Sequence, residues 1–196
     1  MAALDHPALA RLWDAVADRL ERNGLRPAGC IRLDGLERAE RHALSGLLGR
    51  PLVNGRVMVD LADLDHRLRA SGSAAGLVAA AVRIRGPLVD RPGRRQQRAD
   101  AAAGVWAAGY RALTEAGLHH REWVGAWFDD LRRAGTLARV APERAERVLG
   151  LAVRAVGALP CLRGDPPCGR GELATLVTGN AHGLDDASLL AAVVLR

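Results

Sequence analysis

From residue 99 onward apolar side chains recur every three or four positions, and that period leaves the second half of the chain little choice but packed helices. Ala99, Ala102, Ala103, Trp106, Tyr110 and Leu113 make one stripe, and Trp123, Val124, Trp127, Phe128 and Leu131 a second. Val148, Leu149, Ala152, Ala155, Val156 and Leu159 make a third. These read as core faces rather than cofactor boxes. A Pro/Gly loop over residues 161–171, a short helix from Glu172 to Val177 and an apolar helical segment from Ala187 to Leu195 complete this half. Aromatics are 3% of the residues while 49% are hydrophobic. That composition disfavours a β-sandwich, whose strands draw on aromatic and β-branched side chains.

The first half mixes two periods. Leu9, Leu12, Trp13, Val16 and Leu20 stand at helical spacing within residues 4–22, with Pro7 suited to the first turn and Gly24 just past the end. Residues 30–33 alternate, and residues 57–61 follow the Asn54-Gly55 turn signal, so both read as short strands. Leu36, Ala39, Ala43, Leu44, Leu47 and Leu48 form a helix closed by Gly49, and Leu61, Leu64 and Leu68 open another that runs to Ser71-Gly72-Ser73. The expected fold is mostly α. A small α+β unit with two short strands occupies about residues 1–90, and a helical bundle follows over 91–196. No internal repeat is visible.

Every one of the 28 basic residues is Arg, and the formal charge is +6. Residues 83–98 hold six of them, Arg83, Arg85, Arg91, Arg94, Arg95 and Arg98, against Asp90 alone. That stretch therefore carries +5 and the other 180 residues only +1. Gly86-Pro87 and Pro92-Gly93 punctuate it, which marks a linker or domain edge. Clustered Arg beside turns can reach phosphates and release counterions, so these six are the nucleic-acid-binding candidates. The plainer alternative is a solvated Arg-rich loop in a chain from a GC-rich genome. The start, Met1-Ala-Ala-Leu-Asp-His-Pro7, has neither the basic stretch nor the apolar run of a signal peptide, and no segment approaches the ~18 apolar residues of a membrane span. Cys30, Cys161 and Cys168 are too sparse and odd a set for a secreted disulfide framework. A cytoplasmic protein with reduced thiols and no membrane partner is expected.

Candidate chemistry is thin. Asp63-Leu-Asp65 offers two carboxylates that could hold Mg²⁺, yet Leu61, Leu64 and Leu68 place them on a helix, where acidic residues compensate the dipole and cap free N–H groups. Cys161, Cys168 and His182 lack the spacing and the fourth ligand of a structural zinc site. His119 and His120 are adjacent and point about 100° apart on a helix, and Asp129-Asp130 reads as a solvated face. No nucleophile elbow, phosphate-binding Gly/Lys loop or dinucleotide fingerprint is present. No catalytic residue and no metal ligand is assigned, and the chain is expected not to be an enzyme by itself.

The final segment, Leu176-Val-Thr-Gly-Asn-Ala-His-Gly-Leu-Asp-Asp-Ala-Ser-Leu-Leu-Ala-Ala-Val-Val-Leu-Arg196, resembles a stretch of the JetD-like nuclease subunit of Wadjet-type plasmid-defence systems, in the variant common in actinobacteria. That family's pattern is Thr-Gly-Asp-Ala-His-x-Leu-Asp followed by an apolar helix. Leu9-Ala-Arg-Leu-Trp-Asp14 resembles its opening helix, Leu44-Ser-Gly-Leu-Leu-Gly49 its second and Val59-Asp-Leu-Ala-Asp-Leu-Asp65 its third, and Gly86-Pro-Leu-Val-Asp-Arg91 is similar as well. The likeness spans essentially the whole chain. It implies an N-terminal region that ends where a C-terminal Toprim domain would begin, that domain carrying the Mg²⁺ and the DNA cleavage. No cofactor then belongs to this chain. Its partners would be plasmid DNA and a condensin-like SMC ATPase, with a homodimer as a further option, and His182 and Asp185 would be interdomain or site-supporting residues. Asn180 departs from the pattern's Asp, so no metal or charge role is carried to that position. Their plainer reading is local: Asp185 or Asp186 starting the last helix, and His182 bonding the loop backbone.

Three expectations follow: a nucleic-acid-binding and docking region, a protein-interaction module without DNA contact, or a self-contained metal enzyme in which Asp63, Asp65 or His182 converge with other polar groups. If the first holds, Arg94, Arg95 and Arg98 contact phosphates beside a helix start with free N–H groups. The apolar segment Leu184, Leu189, Leu190, Val193, Val194 and Leu195 is expected to be exposed for want of sequence to pack against.

Overall fold

His6 accepts the Ala8 N–H on its Nδ1 and Pro7 fixes the first turn, so a 3-10 turn (Pro7–Leu9) runs straight into α1 (Ala10–Arg22). The computed structural model describes residues 4–72, 74–164 and 166–196, apart from the side chains of Cys161 and Arg163; Ser73 thus lies outside it. The chain is mostly α with a small α+β element. It divides into two compact units, residues 1–96 and 97–196.

In the first unit β1 (Cys30–Leu33) and β2 (Val57–Asp60) pair antiparallel, with Ile31 opposite Val59 and Leu33 opposite Val57. Their alternation buries these four and exposes Cys30, Arg32, Met58 and Asp60. Between the strands lies α2 (Arg38–Leu48), where the Glu40 carboxylate accepts the Glu37 N–H at 2.7 Å and Gly49 ends the helix at φ 63°. At the end of β2 the Asp60 carboxylate caps α3 (Leu61–Ala70), accepting the N–H groups of Ala62 and Asp63 at 2.8 and 3.0 Å. A further helix, α4 (Leu77–Arg85), whose sequence shows no clear apolar period, buries Leu77, Ala80 and Ala81. Asp65 on α3 starts it by accepting the Leu77 N–H. The core gathers Leu9 of the 3-10 turn and Leu12, Trp13, Val16 and Leu20 of α1 with the sheet's inner face and Leu61, Leu64 and Leu68.

Four carboxyls of this unit sit below their usual range. Glu21 is lowered by the Val89 N–H and then by Arg91, and Asp34 by Arg32 and Arg56. The Asp63 N–H lowers Asp60, and Arg69 followed by the Leu77 N–H lowers Asp65. Groups lowered on folding contribute stability that is present above their unfolded pKa and lost as pH falls through the folded one. The first unit should therefore weaken below about pH 4, and Asp65→Asn should remove part of that dependence. Urea midpoints at pH 3 and pH 6 measure it, and equal midpoints would refute it.

The second unit contains most of α5 (Arg91–Glu115), then α6 (Glu122–Ala134), a 3-10 turn (Leu137–Arg139), α7 (Pro142–Gly157), α8 (Pro160–Arg163), α9 (Arg170–Thr178) and α10 (Leu189–Val194). Its core joins Leu113, Val124, Phe128, Leu131, Leu149, Ala152 and Val153. Two expectations are corrected here. On α5 the buried positions are Val105, Gly109 and Leu113, while Ala99, Ala102 and Ala103 are exposed and Tyr110 is half-exposed. A row of alanines has the right period but little area to bury, so it does not extend the core to the start of the helix, while Trp106 and Leu113 of the same stripe do pack on it. The apolar end of the chain is also not left open. Leu184, Leu190 and Val193 are buried, α10 packs on α7, and the Trp127 Nε1–H donates to the Val193 carbonyl at 3.0 Å; Leu195 alone of the six is largely exposed.

Candidate nucleic-acid interface

Pro92 and Gly93 fall inside the first turn of α5 rather than before it, because a proline is tolerated where no helical donor is needed. The helix begins at Arg91, and the division between units falls within it, after Gln96. The Asp90 carboxylate accepts the Gly93 N–H at 2.8 Å and its carbonyl accepts the Arg94 N–H at 2.9 Å. A Cβ at Gly93 would run into that carboxylate. Pro92 has no N–H, so the helix start expected to bind phosphate with free donors is closed by the chain's own cap.

At about 100° per residue, Arg91, Arg94, Arg95 and Arg98 fall within an arc of about 100° on α5. Their environments differ. Arg91 meets Glu21 at 2.7 Å and Asp18 at 3.4 Å, both on α1, and Arg85 at the end of α4 pairs with Asp14. Arg83, exposed on α4, is not free either. Arg94, Arg95 and Arg98 are exposed and form no ion pair with a described residue, although the charge of Arg94 helps to lower Glu21. The six arginines of the basic stretch thus separate into engaged and unengaged sets. Sequence spacing could not show this, since the three α1 carboxylates stand more than sixty residues away.

The loop after α9 brings His182 and Asp185 together, Nδ1 to Oδ2 at 3.0 Å, with the imidazole largely exposed. Gly179 ends α9 at φ 75°. The Thr178 hydroxyl accepts the Asn180 N–H at 3.1 Å, and the Asn180 side-chain oxygen accepts the His182 N–H at 2.9 Å. Buried Leu184 anchors the loop. Neither Asp185 nor Asp186 caps α10: Ser188 does, accepting the Ala191 N–H at 3.0 Å, while Asp186 pairs with Arg170. Thr178 and Asn180 hold the loop in shape, and the His182 ring stays largely exposed.

Asp63 and Asp65 lie on α3 and pair with Arg67 and Arg69 at 2.8 and 2.7 Å. The His119 and His120 rings stand edge to face, 5.3 Å apart. Cys30 and Cys168 are free and exposed, and the Cys161 side chain lies outside the described residues. Among the described residues no three His, Cys, Asp or Glu side chains gather as metal ligands would, and no helix is long and apolar enough to cross a membrane.

The second unit also carries an apolar groove of about 470 Å³. Trp123, Trp127, Val156, Leu159, Leu162 and Val194 line it. Its signal was the width of the second stripe: five large side chains in nine residues wrap further round α6 than one core can cover, and Trp123 is left partly exposed.

The molecule is thus a mainly helical protein with a small α+β unit and an arginine-studded helix start. It belongs to a family described as "Protein of unknown function N-terminus (DUF3323)", whose model matches residues 27–196. No curated protein and no solved structure matches it.

Proposed function

We propose that this chain is a non-catalytic nucleic-acid-binding and docking region, of the kind that precedes the Toprim domain in JetD-like plasmid-defence nucleases. The row Arg94, Arg95 and Arg98 carries the reading: three exposed guanidiniums within two helical turns, none paired with a carboxylate of a described residue. The likeness of the Thr178–Asp185 motif supports it, and His182 with Asp185 offers a contact to the condensin-like ATPase. Mg²⁺ belongs to the Toprim domain, and no residue here is assigned to it.

Salt titration of duplex binding tests this. Each phosphate neutralised contributes about 0.9 to the slope of log affinity against log salt, so Arg94→Ala, Arg95→Ala and Arg98→Ala together should remove about 2.7. Folding should barely change, because exposed arginines contribute little to stability. An unchanged slope would overturn the proposal. The second reading, a protein-interaction module, would then stand on the Trp123/Trp127 groove, which has the size and apolar lining of a seat for a partner's side chains.

A further inference from the structure

On α1, Asp14, Asp18 and Glu21 follow one another at four- and three-residue steps, which puts them on one face. Each turns a carboxylate oxygen toward the basic stretch, and the other Asp18 oxygen pairs with Arg22 at 2.7 Å. Asp14 pairs with Arg85, Asp18 with Arg91 at 3.4 Å, and Glu21 with Arg91 at 2.7 Å. The second Glu21 oxygen accepts the Val89 N–H at 3.0 Å, tying the loop between α4 and α5 to the same face. Glu21 is mostly buried, at 17% side-chain exposure, while Arg85, Arg91, Asp14 and Asp18 stay near half-exposed. Carboxylate oxygens here occupy the positions around Arg85 and Arg91 that phosphate oxygens would take, since a guanidinium fork accepts either anion in the same geometry.

Resting on the nucleic-acid reading above, we propose that Asp14, Asp18 and Glu21 are positioning residues that withhold Arg85 and Arg91 from the nucleic acid and so limit the contact to Arg94, Arg95 and Arg98. The acidic face acts as an internal phosphate surrogate. It orients the start of α5 and sets how many phosphates the chain neutralises. A purely structural role for these pairs would make their loss weaken the fold and the binding together. The surrogate role makes their loss strengthen binding at low salt and steepen its salt dependence.

The experiment is duplex binding over a salt series with the full chain, using a random-sequence DNA duplex as the probe. Asp14→Asn, Asp18→Asn and Glu21→Gln together, on an Arg22→Ala background that removes the other partner of Asp18, keep the carboxylate shapes and remove their charges. Two released guanidiniums should steepen the slope by about 1.8, from about 2.7 to about 4.5. Arg85→Ala with Arg91→Ala should leave the wild-type slope unchanged, yet return the charge-neutralised variant to about 2.7. A folded neutralised variant with an unchanged slope would overturn the inference. So would a fall of about 1.8 when Arg85 and Arg91 are replaced in the wild type, a result that needs no acidic variant to fold. A wild type that does not bind the duplex brings down the nucleic-acid reading itself. A slope lowered by the Arg94, Arg95 and Arg98 replacements but indifferent to the acidic ones removes this inference alone.

Discussion

Phe128→Ala should cost about 3–5 kcal/mol of folding stability, the range for deleting a buried aromatic side chain. Phe128 is fully buried at the centre of the second unit's core, with ring centroids of Tyr110, Trp127 and Trp106 at 4.7, 5.3 and 5.6 Å. Gly109 makes this closeness possible, because a Cβ there would strike Leu149 and come within 3.2 Å of the Phe128 ring. Helices that already approach this closely cannot close in on the cavity, so its cost is kept. Against a domain stability of about 5–15 kcal/mol, such a loss leaves the unit marginal. Phe128→Leu, which keeps much of the volume, should cost less. Urea denaturation followed by tryptophan fluorescence measures both, and a loss under about 1 kcal/mol for the alanine variant would contradict this packing.

The corresponding change in the first unit is Trp13→Ala, again at about 3–5 kcal/mol. Trp13 is 1% exposed, and its Nε1–H donates to the Leu4 carbonyl at 2.6 Å, pinning the segment before α1. Trp13→Phe separates the two contributions, since it keeps an aromatic ring but leaves the buried Leu4 carbonyl unpaired, for about 1–3 kcal/mol. Amide exchange should show the first loss of protection in residues 4–96. Protection lost first in residues 97–196 would place Trp13 in the wrong core.

What could be read from the residues followed their size. Large side chains at clear periods gave the right elements: Leu12, Trp13, Val16 and Leu20 on α1, Ile31 and Leu33 against Val57 and Val59 in the sheet, and Val124, Trp127, Phe128 and Leu131 on α6. Alanine was where reading failed. It is a strong helix former yet says little about burial, so α4 has no sequence signal and the α5 stripe packs on the core only from Trp106 onward, not at Ala99, Ala102 and Ala103. The exposed ending expected for residues 184–195 failed for a different reason. The groups that cover it, α7 and the Trp127 indole, lie far back in the sequence and come together only in the fold. Charge shows the same limit. Six arginines in sixteen residues were plain, but the neutralisation of Arg85 and Arg91 by α1, and the closure of the α5 start by Asp90, are tertiary facts.

Amide-resolved NMR of the full chain, with and without a DNA duplex at low salt, tests most directly whether α5 is the nucleic-acid contact. The expected result is a set of shifts concentrated at residues 91–98 that fades as salt is raised and is absent from the Arg94, Arg95 and Arg98 alanine variant. Shifts confined to the surroundings of Trp123, Trp127 and Leu162, or no shifts at all, would contradict it.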